Sequence, residues 1–254
     1  MAGHSKWKNI KHRKAAVDKK RGRAWTKCAK AIIVAAKNGG PDPDANLSLR
    51  YAIDEARYAN MPRDTIERAI KKGAGGGEGD NYEPVRYEGY GPGGVAVIVE
   101  ALTDNRTRTI GDVRLAFSTN GGNVGNSGCV AYLFDSRGQI VISAAGHKED
   151  AVMEAAIDAG ALDVEMPDDF SEDDATCTII TEPLSFLKVK DQLEKKGFKI
   201  EEAAIAMIPQ TRVEVRGDSA RQNIDLVEAL EDLDDVQKVY TNFDIPAEEL
   251  AKLG

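Results

Sequence analysis

Eleven of the first thirty residues are lysine or arginine, at positions 6, 8, 11, 13, 14, 19, 20, 21, 23, 27 and 30, and only Asp18 opposes them. Trp7, Ile10 and Trp25 interrupt the charges, and His4 and His12 add hydrogen-bond donors. Cations interleaved with aromatic rings suit phosphate neutralisation combined with base stacking. A solubilising tail would also be charged, but it has no use for tryptophan. Nucleic acid is therefore the expected partner. The expected contacts are Lys6, Trp7, Lys8, Lys11, His12, Arg13, Lys14, Lys19, Lys20, Arg21, Arg23 and Lys27.

A second candidate is Thr103-Asp-Asn-Arg-Thr-Arg108, read as a strand-to-helix turn with Asp104 as the cap. Free N–H groups at a helix start, joined by Arg106 and Arg108, would make an anion site. The same two arginines would serve equally well to hold neighbouring acids across a domain seam. Asn123, Asn126 and Ser127, in the glycine loop Gly121–Gly128, are expected to face the same cleft.

Other chemistries find little support. His4, His12 and His147 have no cysteine or serine elbow beside them, and no HExxH, GxSxG or spaced Cys/His cluster occurs. The acidic run Asp168–Asp174 lacks the glycine and closing glutamate of a calcium loop. Gly73–Asn81 is glycine-rich, but Glu78 and Asp80 stand where a phosphate loop needs lysine and a hydroxyl, so it reads as a linker. If Met1 is removed, Ala2-Gly-His4 offers a nitrogen set suited to Cu(II) or Ni(II), read as incidental. No catalysis, resident metal, cofactor or small-molecule substrate is expected.

The chain's 254 residues carry a net charge of −8, while the first thirty carry +10, so the other 224 carry −18. A basic segment is set against an acidic body, and such a segment attracts polyanions whatever the total charge. Cys28, Cys129 and Cys177 are odd in number and far apart, which favours a reducing compartment. Ala31–Ala36 is too short an apolar run to span a bilayer, and the basic segment fits neither a signal nor a transit peptide. A cytoplasmic protein without membrane contact is expected.

The positioning elements follow from periodicity. Residues 1–22 have no apolar period and are expected to be mobile until a partner orders them. A helix is expected from Ala24, with Trp25, Cys28, Ile32, Ile33 and Ala36 on one stripe, ended by Asn38-Gly-Gly-Pro41. Asp42-Pro43 reads as the next cap, Leu49, Ala52, Ile53 and Ala56 mark a second helix, and Ile66, Ala69 and Ile70 a third. Val95–Val99, nearly all apolar, should be a central strand, and Cys129–Phe134 another. Gln139–Met207 reads βαββαβ, the ferredoxin-like arrangement. A final βαβ tail from Thr211 lacks partners of its own and is expected to complete the sheet begun at Val85. The fold class is therefore α+β and multidomain. It comprises a basic arm and three-helix domain (1–75), a discontinuous α+β domain (80–135 and 208–254) and an inserted ferredoxin-like domain (136–207).

Several stretches carry a family resemblance. The opening MAGHSKWKNIKHRKAAVDKKRG, Asn60–Gly73, Tyr87–Gly94, Thr103–Arg108 and Leu230–Val236 together resemble the YebC family, across nearly the whole chain and in the expected order. That family also includes a mitochondrial translational activator of cytochrome c oxidase. The resemblance implies a helical first domain, then an α+β domain interrupted by a ferredoxin-like one. It also implies a role in gene expression, with two targets. Family members are named as DNA-binding transcriptional regulators, whereas mitochondrial relatives act in translation and bacterial members are implicated at ribosomes stalled on proline-rich peptides. A DNA reader should show a recognition helix, and Arg57-Tyr-Ala-Asn60 is a thin candidate for one. Structured RNA asks only for charge and aromatics, so a ribosome-associated translation factor is the leading expectation and a DNA-binding regulator the alternative.

Overall fold

The computed structural model describes residues 17–75, 81–167, 169–170, 175–246 and 248–249. Helix α1 (Val17–Gly39) begins seven residues ahead of the expected Ala24. Lysine, arginine and alanine propagate a helix without an apolar stripe once the downstream turns are nucleated. The cap of α2 (Leu47–Tyr58) is also not the one expected: Asn46 accepts from the Leu49 amide at 3.1 Å. Asp42 instead accepts from the Asp44 amide in a local turn. Buried Asn46 also donates to the Ala35 and Gly40 carbonyls, both at 2.8 Å, so one side chain fastens the end of α1 to the start of α2.

Helix α3 (Arg63–Ala74) closes the bundle around Ile32, Ile33, Leu49, Ile53 and Ile66. Gly73 makes this packing possible. A Cβ there would run into the Ile33 carbonyl and lie 2.8 Å from the Ala36 Cβ.

Strands β1 (Glu83–Gly91) and β2 (Val95–Thr103) form an antiparallel hairpin registered from Glu83↔Thr103 to Gly91↔Val95. Val95 to Val99 are all fully buried, as a central strand requires. Helix α4 (Arg106–Thr119) follows, then the short β3 (Asn123–Val124) pairing with β1. Cys129–Leu133 is not a strand, and of the expected one only Phe134 is extended. A 3-10 turn spans Ala131–Leu133, because the amides of Gly128, Val130 and Ala131 donate to the buried Glu88 carboxylate, each at 2.8 Å. Amides committed to a side chain cannot join a ladder.

From the carboxyl-terminal part come β8 (Val213–Glu214), helix α7 (Gly217–Glu231), β9 (Val236–Thr241) and β10 (Phe243–Asp244). Only β9 joins the main sheet, whose order is β3-β1-β2-β9. The strand expected from Thr211 shrinks to β8 and pairs with β10 instead. Val97, Val99, Phe117, Leu226 and Leu230 lie in one apolar core that unites the sheet with α4 and α7.

The chain forms two compact units, and Asp135–Ile208 is one of them. It holds most of β4 (Phe134–Ser143), then α5 (Glu149–Ala159), β5 (Asp163–Glu165), β6 (Thr176–Thr181), α6 (Phe186–Lys195) and most of β7 (Ile200–Pro209). The strand order β5-β6-β4-β7 is that of a ferredoxin-like sheet. Gly160 ends α5 in the left-handed region at φ 92°. In the other unit, the Gln210 amide donates to the Leu133 carbonyl at 2.9 Å, tying the residues on either side of this stretch.

Gly73→Ala provides a test of sign. An interior helix glycine replaced by alanine ordinarily gains about 1 kcal/mol. Here the collision with Ile33 should reverse the effect, destabilising the protein by about 1–3 kcal/mol in urea unfolding.

Candidate nucleic-acid interface

Arg23, Lys27 and Lys30 are spaced four and three apart, so they line one face of α1. That face meets the end of α7. Arg23 pairs with Asp232 at 2.6 Å, and the Lys27 ammonium donates to the Glu231 carbonyl at 2.6 Å. Lys30 donates to the Asp234 carbonyl at 2.9 Å and to Asp235 at 3.0 Å. A helix carboxyl terminus exposes unpaired carbonyls and the negative end of its dipole, which is where cations are stabilised. Burial lowers the pKa of Lys27, and Glu231, Asp232 and Asp234 oppose that shift. Trp25 is occupied as well. Its indole N–H donates to the Ala59 carbonyl at 3.0 Å and the ring packs against the helical core, so it is not a stacking platform.

Asp235 is the hub of the site. Its carboxylate, about one-tenth exposed, accepts from Lys30, from Arg108 at 2.7 Å, from the Thr109 hydroxyl at 2.8 Å and from Thr103 at 3.3 Å. Burial alone would raise its pKa, but the bonds from Arg108, Thr109 and Lys30 more than offset this and hold it at about 2.

The cap of α4 is Asn105, which accepts from the Arg108 amide at 3.1 Å; Asp104 instead pairs with the Arg108 side chain at 2.7 Å. Arg106 engages both carboxylate oxygens of Glu83, the second at 2.8 Å. Arg106 and Arg108 therefore hold neighbouring acids, one of the two uses open to them in the sequence. A cavity of about 550 Å³ beside the hub is lined by Arg23, Lys30 and Arg108 but also by five aspartates, so its field opposes an anion. Asn123, Asn126 and Ser127 do not line it; they are exposed on the glycine loop that Glu88 pins from below. Glu88 was missed in the sequence, where it looks like one more polar position of a half-buried strand. Burial would raise its pKa, yet the three amides bring it below the usual carboxylate value.

Lys6, Trp7, Lys8, Lys11, His12, Arg13 and Lys14 lie outside the described residues, as does His4. Lys19, Lys20 and Arg21 lie on the first turns of α1, with their side chains outside the description. His147 stacks on Phe198 with ring centroids 4.6 Å apart. Among the described residues, no group of three or more His, Cys, Asp or Glu is arranged to hold a metal, and no helix is long and apolar enough to cross a membrane.

The family model described as the TACO1/YebC protein N-terminal domain matches residues 5–76, and that described as the TACO1/YebC second and third domain matches residues 82–243. The chain belongs to the TACO1/YebC family. A relative from Trichlorobacter lovleyi, named "Probable transcriptional regulatory protein", is 53% identical over 253 residues, covering 100% of both chains. One of that description from Paraburkholderia xenovorans is 54% identical over 248 residues, 98% of this chain and 100% of its own. Among solved structures, a conserved hypothetical protein from Aquifex aeolicus superposes with a TM-score of 0.84 at 48% identity, over 93% of this chain and 96% of that one. The family match covers both the three-helix domain that bears α1 and the turn before β9 that bears Asp235.

Because the Asp235 carboxyl is held near pH 2 in the fold and titrates near 4 when unfolded, its contribution is present above pH 4 and lost as pH falls towards 2. Between pH 5 and pH 2 the protein should lose about 2 kcal/mol more stability than its Asp235→Asn variant. Urea unfolding of both proteins across that range measures the difference.

Proposed function

We propose that this TACO1/YebC-family protein is a non-catalytic, nucleic-acid-binding regulator of gene expression. It grips structured RNA of the ribosome through its amino-terminal segment, acting as a translation factor that relieves stalling on difficult, proline-rich peptides. The distribution of cations carries this reading. Three of the eleven basic residues in the first thirty are bound to acids and carbonyls of the α7–β9 turn, and the other eight all precede Arg23. Polyanion binding therefore centres on that segment, while the −18 carried by the remaining residues repels a long duplex laid along the protein. Trp7 and the imidazoles of His4 and His12 suit stacking on splayed bases, which folded RNA offers and B-form DNA does not.

The relatives are named probable transcriptional regulatory proteins, and the second reading is a regulator that binds promoter DNA. Comparative binding at physiological salt separates the two. Ribosomes should be bound more tightly than duplex DNA of any sequence, and deleting residues 2–22 should abolish the association. Trp7→Ala should weaken it by about 1–3 kcal/mol. With about six to eight phosphate contacts, affinity should fall by about three orders of magnitude or more between about 50 and 200 mM salt. A promoter duplex bound sequence-specifically and more tightly than ribosomes would overturn the RNA assignment.

A further inference from the structure

We infer that the Glu231–Asp235 turn is a built-in competitor for nucleic acid: it occupies the Arg23–Lys30 face of α1 and yields part of that face when a polyanion engages the residues before it. This rests on the proposal that nucleic acid is bound through the amino-terminal segment, and it concerns how that same basic surface is regulated.

The turn offers α1 what a run of phosphates would offer. The Glu231 and Asp234 carbonyls and the Asp232 and Asp235 carboxylates meet three consecutive cations of one helical stripe. The bonds are graded along the helix. At the amino-terminal end, Arg23 and Asp232 are 37% and 65% exposed, a class of pair that contributes little and is screened by salt. Seven residues on, Lys30 and Asp235 are only 13% and 10% exposed, and Asp235 is held further by Arg108 and Thr109. The face therefore peels from one end. A polyanion held by residues up to Arg21 stands two residues from Arg23, at a high effective concentration. Arg23 transfers first and Lys27 second, while Lys30 remains on its anchor. Nothing covalent changes; an internal acid is exchanged for a phosphate.

The test uses the full chain carrying Asp232→Asn with Asp234→Asn, both exposed positions whose neutralisation leaves the Asp235 hub intact. A charge-matched control carries Asp218→Asn with Asp225→Asn, exposed residues earlier on α7. Each protein is titrated with an RNA hairpin and with a DNA duplex of equal length, at several salt concentrations. The turn variant should bind the polymer that wild type prefers about three- to tenfold more tightly than the control does. Its salt slope should be steeper by about one for each cation recruited. In wild type, adding that polymer should accelerate amide exchange at Leu233 and Val236, whose amides close the turn onto the Leu230 and Leu233 carbonyls. Equal affinities for the two variants, or for the turn variant and wild type, would overturn the competitor and leave nucleic-acid binding standing. If no protein binds either probe, both proposals fall.

Discussion

One buried carboxylate joins the parts of this molecule that its sequence keeps far apart. Asp235 gathers Lys30 from the first helix, Thr103 from the central strand, and Arg108 and Thr109 from the helix that follows. A charge withdrawn from water is tolerable only when its lone pairs are met, and here four donors meet them. Among the described residues, taking away the acid would leave Lys30 hydrogen-bonded to the Asp234 carbonyl alone and Arg108 to Asp104 alone. A second strut runs parallel to it, where Lys238 of β9 pairs with Glu55 of α2. The helical domain is thus registered against the sheet by charge. That choice has a cost in desolvation and a return in geometric specificity.

Much of the fold was legible because its signals are local. The run Val95–Val99 announced a strand buried on both faces, and all five residues are fully buried. The βαββαβ order was readable from apolar periods punctuated by Gly160 and Gly197, both of which take positive φ. What escaped reading depended on distant partners. Asp42 and Asn46 are both good caps by type, and what distinguishes Asn46 is its pair of bonds back to Ala35 and Gly40. Cys129–Phe134 has the composition of a strand, but its amides answer to Glu88, some forty residues earlier. The reach of α1 to Val17 was hidden because basic residues extend a helix without any apolar period.

The site was legible in its charge and illegible in its pairing. The excess of cations at the amino terminus needs only counting. Which of them meet acids does not follow from a count, since Arg23, Lys27 and Lys30 find their partners about two hundred positions later. Arg106 and Arg108 could be anion donors or holders of acids, and the acids they hold, Glu83 and Asp235, lie 23 and 127 positions away. Trp25 shows the same limit from the apolar side. Among lysines it suggested stacking, and a single bond to Ala59 assigns it to the helical bundle.

The placement of β9 has a consequence for how the chain is made. Strand β2 lies between β1 and β9, and Ile98 is registered against Tyr240, more than a hundred residues further along. The unit Asp135–Ile208 closes its own four-stranded sheet from contiguous sequence in between. During synthesis that unit can finish while the apolar flank of β2 still waits for its partner, since pairings of long sequence separation are slow and carry a large loop-closure cost. Until β9 and α7 leave the ribosome, Val97 and Val99 lack part of their cover, and that interval is when this chain is most exposed to misassembly.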